Sequence, residues 1–238
     1  AIWSGFVPLG FATSDFLALA MLPLYAPPAY LLAMVLLFAV LAAGALWLMN
    51  GIVVSAPASA MGSVSQTLSL PVVLVAASFG AFVILSVSMF TFMPACVAGE
   101  GAHFLVSAGV IALSVPLGNV LASILVRGRA AGYMAQLAVF GFAVSAATAV
   151  PAFTLSDPAL ATIAALALAI SGALVASAQF AAIPYVTPHG GSVPVAIGLV
   201  CQAGGIGTVF GPPLAAFVIE TFGWAGFTVG LQTCYDIR

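Results

Sequence analysis

The chain has 238 residues, of which 64% are hydrophobic and 3% charged, against roughly 25% charged in an average soluble domain. That excludes a soluble fold, which needs a charged surface to stay in water. A net charge of −2 also excludes the electrostatic grip that nucleic acid or another polyanion would require. Lys is absent, and the charges are Asp15, Glu100, Arg127, Arg129, Asp157, Glu220, Asp236 and Arg238, so residues 16–99 and 158–219 carry none.

A bilayer core of about 30 Å takes roughly 20 apolar residues per helix. Apolar runs of that length recur between polar, Pro or Gly breaks, and the expectation is an all-α polytopic membrane bundle. The first span is 2–22. It opens on "AIWSGF", with neither an initiator Met nor a basic region, so a signal peptide is not expected. It contains Asp15, an acid in an apolar run, which costs about 2.5 to 3.5 kcal/mol on insertion scales. Such a carboxylate faces a cavity or a partner, unless the helix ends near it and leaves it at the interface.

After "LYAPPA" comes a second span, 29–49. Residues 50–67, "NGIVVSAPASAMGSVSQT", are Ser-, Ala- and Gly-rich and uncharged, and are expected to link two helical groups. The third span, 68–95, carries Ser86, Ser88 and Thr91, which can satisfy their own backbone. Glu100 and His103 follow in "AGEGA" and just beyond, a solvated pair or a proton relay. The fourth span, 103–126, ends in "RGR". Arg127 and Arg129 place that loop in the cytoplasm by the positive-inside rule. Alternation puts the linker on the same side and Glu100, Asp157 and Glu220 opposite.

The fifth span is 131–151, and the sixth, 159–183, holds Ser171 and Gln179, two steps of four apart and so expected on one face. Either contacts a solute or bonds to a neighbouring helix. The loop "VTPHGGS" leads into a seventh span, 194–219, with Gln202 as a second candidate contact. An eighth begins at Trp224 and is cut after "LQTCYDIR", so the chain is expected to be a fragment. Trp3, Trp47 and Trp224 fall near predicted boundaries, as interfacial anchors do.

Within the seventh span, "CQAGGIGTVFGPPLAAF" has glycines near phosphate-loop spacing but no preceding strand and no Lys. As a helix it places Ala203, Gly207, Gly211 and Ala215 on one small-residue stripe, a surface for close helix approach. Pro212 and Pro213 remove two N–H donors and should kink it. Cys96, Cys201 and Cys234 are too scattered for a disulfide framework or a metal site. No paired carboxylates or Ser/His/Asp set appear, so neither an enzyme nor a cofactor is expected.

Aligning Ala1 with Ala196 also matches Ile2 to Ile197, Gly10 to Gly205 and Thr13 to Thr208. The first and seventh spans thus look like equivalents six helices apart. With the central linker, this pattern resembles the major facilitator superfamily of secondary transporters. On that resemblance the chain runs from helix five to the start of helix twelve. Residues 1–49 are then the last two helices of the N-terminal half, 50–67 the cytoplasmic linker, and 68–238 the C-terminal half.

Two motifs carry the likeness. Gly198, Gly207, Gly211 and Pro212 keep the spacing of a helix-five pattern of antiporters in the family, with Ala215 and Ala216 in place of its final glycines. "PLGNVLASILVRGR" keeps Gly118, Arg127, Gly128 and Arg129 of the cytoplasmic gate loop, with Ala122 where an Asp would fall. The resemblance implies alternating access to a small solute, with Asp15, Gln179 and Gln202 as substrate or coupling candidates and protons as a coupling ion. It also implies a multi-pass protein of a bacterial inner (plasma) membrane that packs against four further N-terminal helices. The alternatives are an inert fragment and a membrane-embedded assembly subunit or enzyme.

Overall fold

The computed structural model describes residues 6–50, 63–99 and 104–236. The described chain is all-α: α1 (Phe6–Met21), α2 (Pro27–Met49), α3 (Val64–Thr67), α4 (Leu70–Gly99), α5 (Ala108–Val126), α6 (Ala131–Thr154), α7 (Pro158–Val186) and α8 (Val193–Asp236). Among the described residues, six helices are long and apolar enough to cross a membrane. This makes the chain a multi-pass integral membrane protein, since hydrocarbon leaves backbone groups only intrahelical partners.

Seven complete spans were expected, and the first of them is described as the 16 residues of α1, while its opening residues, Trp3 among them, lie outside the described residues. The expected boundary between the seventh and eighth spans, before Trp224, is found at Gly223 (φ 68°, ψ −174°), where α8 is two helices meeting at a kink. That combination is open essentially to glycine alone. Pro212 and Pro213, where a kink was expected, keep helical backbone angles, and the residue that leaves them is Gly223. The expected linker also ends in structure, because its last residues form α3.

Local sequence explains where several helices begin. Asp157 caps α7, its Oδ1 accepting from the N–H groups of Ala159 and Leu160 at 2.9 Å each, with Pro158 in the first turn where no donor is missed. Paired prolines open α2 in the same way. Between α5 and α6 the chain turns at Gly128, whose φ is 69°.

The core sits on α7. Its most extensive contacts are with α6 and α5, while α4 packs chiefly on α8. Along α7, 67% of the apolar stretch is buried inside the bundle, against 0% for α2. The main cluster joins Met93 and Cys96 of α4, Ile111 and Val115 of α5, Ala149 and Phe153 of α6, Ala165 and Leu168 of α7, and Phe227. Alanine is frequent in it because helices approach closely where side chains are small.

Hydrogen bonds identify the two ends of the bundle. At one end Ser63 donates its backbone N–H to the Gly190 carbonyl, so α3 and the α7–α8 loop are neighbours, and alternation brings Arg127 and Arg129 to that end. At the other, the Leu105 N–H donates to Thr162 Oγ1 (2.8 Å), in the company of Asp157 and Glu220. Trp224 packs there against the core, edge-on to Phe227 at 6.1 Å. It serves as packing as well as marking a helix end, because Gly223 turns it back onto the bundle.

Candidate functional site

The α4–α8 seam is built from bare backbone. A methyl group on Gly207 would lie 2.6 Å from the Gly80 carbonyl oxygen and 3.1 Å from the Ile84 nitrogen, and one on Gly211 would lie 2.8 Å from the Ile84 carbonyl oxygen. From the other side, a methyl on Gly80 would meet the Ala203 carbonyl oxygen at 3.1 Å. Gly204 lies under the Phe79 ring, whose Cε1 would be 2.7 Å from an added methyl. Ala215, further along the same stripe, is buried in the main cluster. Gly198 and Gly205 face open space. Ser88 donates to its own Ile84 carbonyl (2.6 Å), so its hydroxyl makes no demand on α8.

Around α7 the contacts are of another kind, with a polar side-chain bridge to each of three neighbours. Ser145 of α6 and Ser171 of α7 are 2.8 Å apart through their hydroxyls. Ser171 gives its hydrogen to the Leu168 carbonyl (3.0 Å), which leaves Ser145 as the donor. Ser177 donates to Asn119 Oδ1 of α5 at 2.7 Å. Gln179 donates through Nε2 to Ser78 Oγ of α4 at 2.6 Å. All of these but Ser78 are buried.

Gln179 is 6% exposed, and its Oε1 is buried without a hydrogen-bond partner. Turning the amide over would let Ser78 donate to Oε1 and leave Nε2 unpaired. Either way one arm of the amide is unsatisfied, beside the edge-to-face pair of Phe79 and Phe180 (5.0 Å). An unsatisfied buried polar group costs about 1 to 3 kcal/mol. Gln179 and Ser69 are thus the two described residues with a buried side-chain atom that would gain from an added partner.

Other candidates fall elsewhere. Ser171 faces α6 and Gln179 faces α4, because eight residues at about 100° each leave them roughly 80° apart around the helix. Gln202 is exposed and does not meet Gln179. Gly118 lies inside α5, buried, where a methyl would come 2.7 Å from Ala173 Cβ and 2.9 Å from the Ile170 carbonyl oxygen of α7. It is a packing glycine, set back from the turn that holds Arg127, Gly128 and Arg129. Those three are exposed, and the Arg129 guanidinium stands 5.3 Å from the Tyr133 ring centroid.

Asp15 belongs to α1 by its backbone, and its side chain lies outside the described residues, as do Glu100 and His103. His189 is exposed on its loop, and Trp47 is 74% exposed near the end of α2. Asn119 went unnoticed in the sequence, although an amide in an apolar run is a visible signal. Ser78, Ser145 and Ser177 gave none, being indistinguishable from the other span serines.

No protein-family model matches the chain. Neither does any curated protein or solved structure. The arrangement itself offers one seam of close backbone contact, one helix tied to three neighbours, and one half-satisfied amide between them.

Proposed function

We propose that the chain is part of a secondary active transporter of the major facilitator type, moving a small solute by alternating access across a bacterial inner membrane. The observation that carries this reading is the α4–α8 seam. Where α8 meets α4 at Gly80, Gly207 and Gly211 the contact is backbone on backbone, so α8 can shift along α4 at low cost, whereas α4, α5 and α6 are each tied to α7 by a hydrogen bond. A mobile helix beside a fixed core is what alternating access to a central site needs.

Two further features support it. Of the two helices before the linker, α1 packs on α5 and α2 touches only α1 to any extent, so the groups on either side of the linker meet along one helix pair. Gln179 offers an unpaired amide arm in an otherwise apolar setting, suited to a neutral solute with hydrogen-bonding groups. The spanning parts of α4 to α8 hold no Lys or Arg, which disfavours a strongly anionic one. Asp15 is the proton-coupling candidate, since protonation would remove the penalty of a charge in a dry site.

The test uses membrane vesicles carrying the complete gene product. Solute-dependent dissipation of an imposed pH gradient in the wild type, lost in Gly207→Leu, supports the reading. Wild-type flux in Gly207→Leu at equal expression refutes it.

A second reading is favoured by α2, which has no buried residue. In that reading these 238 residues do not transport alone, and α1 and α2 are completed by further helices. Uptake by proteoliposomes holding only this chain would rule it out.

A further inference from the structure

The end of the linker is fastened to the α7–α8 loop. The Ser63 N–H donates to the Gly190 carbonyl (3.1 Å), and the Ser192 N–H donates to Thr67 Oγ1 (2.8 Å). The Thr67 hydroxyl passes its own hydrogen to the Ser63 carbonyl (2.9 Å). Thr67 is completely buried although it belongs to a short, otherwise exposed helix. The loop bends at Gly190, whose φ of 86° suits glycine, and a methyl there would meet Gln66 Oε1 at 2.6 Å.

These contacts span the starts of α4 and α8, the two helices that otherwise meet through the smooth glycine seam. Directly inside lies a small separate cluster of Val72, Ala76, Ile183, Ala196 and Val200. Two residues past Thr67, the Ser69 hydroxyl is buried without a partner. It would gain water on opening, so the closed state is not favoured by every term. A fastening made of so few hydrogen bonds costs little to open.

We propose that residues 63–67 and 187–192 form a latch which holds the starts of α4 and α8 together, at the end of the bundle that carries Arg127 and Arg129, and whose release admits water to the Val72–Val200 cluster. The inference concerns water access alone and stands whether or not the chain transports anything. In a transporter the latch would control one of the two openings.

The experiment is cysteine labelling of the complete protein in open membrane fragments, with Cys96, Cys201 and Cys234 replaced by Ala. Val200→Cys reports on the cluster under the latch, Ala152→Cys on the main core toward the far end, and Ser65→Cys on exposed α3. A membrane-impermeant maleimide is the probe. With the latch intact, Val200→Cys should label far more slowly than Ser65→Cys. Thr67→Val, which keeps the shape and loses the hydroxyl, and Gly190→Val, which strains the bend, should each speed Val200→Cys labelling by about tenfold, the worth of one or two hydrogen bonds. Ala152→Cys should stay protected, and Thr67→Ser should behave as wild type. Unchanged Val200→Cys labelling in both latch variants overturns the proposal. So does a joint rise in both core reporters, which would mean general loosening, or a Thr67→Ser variant as open as Thr67→Val, which would show that loss of the hydroxyl is not what opens the latch.

Discussion

Gly207 of α8 lies so close to Gly80 of α4 that a methyl group on the first would come 2.6 Å from the carbonyl oxygen of the second. The obstacle is backbone, which cannot swing aside as a side-chain tip can. Two positions earlier, Gly205 faces open space. Gly207→Ala should therefore destabilise the protein by about 1 to 3 kcal/mol, the usual cost of overpacking. Gly205→Ala should be neutral or stabilising by up to about 1 kcal/mol, because Ala is the better helix former. Unfolding in detergent titrated with SDS reads both, and equal shifts would mean that the seam is not close-packed.

The Ser177–Asn119 bond ties α7 to α5 at 2.7 Å. In a membrane the separated helices still find other partners, so the net worth of such a bond is small, about 0.6 kcal/mol on average and up to about 1.7 kcal/mol. A double-mutant cycle of Ser177→Ala and Asn119→Ala should return a coupling energy in that range. A coupling of zero would place the bond outside the folded protein's stability altogether.

Gln179 separates size from polarity. Gln179→Leu keeps most of the volume and removes an amide that is only half satisfied, and Ser78 can then bond its own helix backbone. Stability should change by less than about 1 kcal/mol. Gln179→Ala opens a cavity and should cost about 2 kcal/mol or more. If Gln179 also contacts the solute, both variants lose transport, although Gln179→Leu stays folded. Full transport by Gln179→Leu would remove the residue from the site.

Asp15 is tested by its pH profile. If its carboxyl carries the coupling proton, Asp15→Asn fixes the neutral form, and solute flux should lose its dependence on the proton gradient while counterflow of solute persists. A profile that matches wild type between acid and neutral pH would relegate Asp15 to a structural role.

Much of the fold was legible because hydrocarbon imposes a single solution on the backbone, and the apolar runs located α2 and α4 to α7 to within a few residues. The small-residue stripe was also readable, since Ala203, Gly207, Gly211 and Ala215 follow helical spacing. Its partner on α4 was not, because periodicity names a face and says nothing of what covers it. Ser171 and Gln179 were placed on one face by counting in fours, and the accumulated offset from 3.6 residues per turn put them against different helices. The boundary before Trp224 was legible and falls at Gly223, whereas Pro212 and Pro213, where a kink was expected, keep helical backbone angles, because a glycine with a positive φ redirects a chain more sharply than a proline that stays helical. The Thr67–Ser192 contact joins residues far apart in the chain and left no trace in local pattern.

The three bridges to α7 also impose an order in time. Ser78, Asn119 and Ser145 arrive on α4, α5 and α6, and the residues that answer them, Gln179, Ser177 and Ser171, all arrive later on one helix. During synthesis the earlier helices enter the bilayer with these polar groups provisionally matched or exposed to water, and the insertion of α7 settles all three at once. Until then the bundle has neither its central helix nor its polar pairing, which makes the entry of α7 the step at which a loose set of spans becomes one protein.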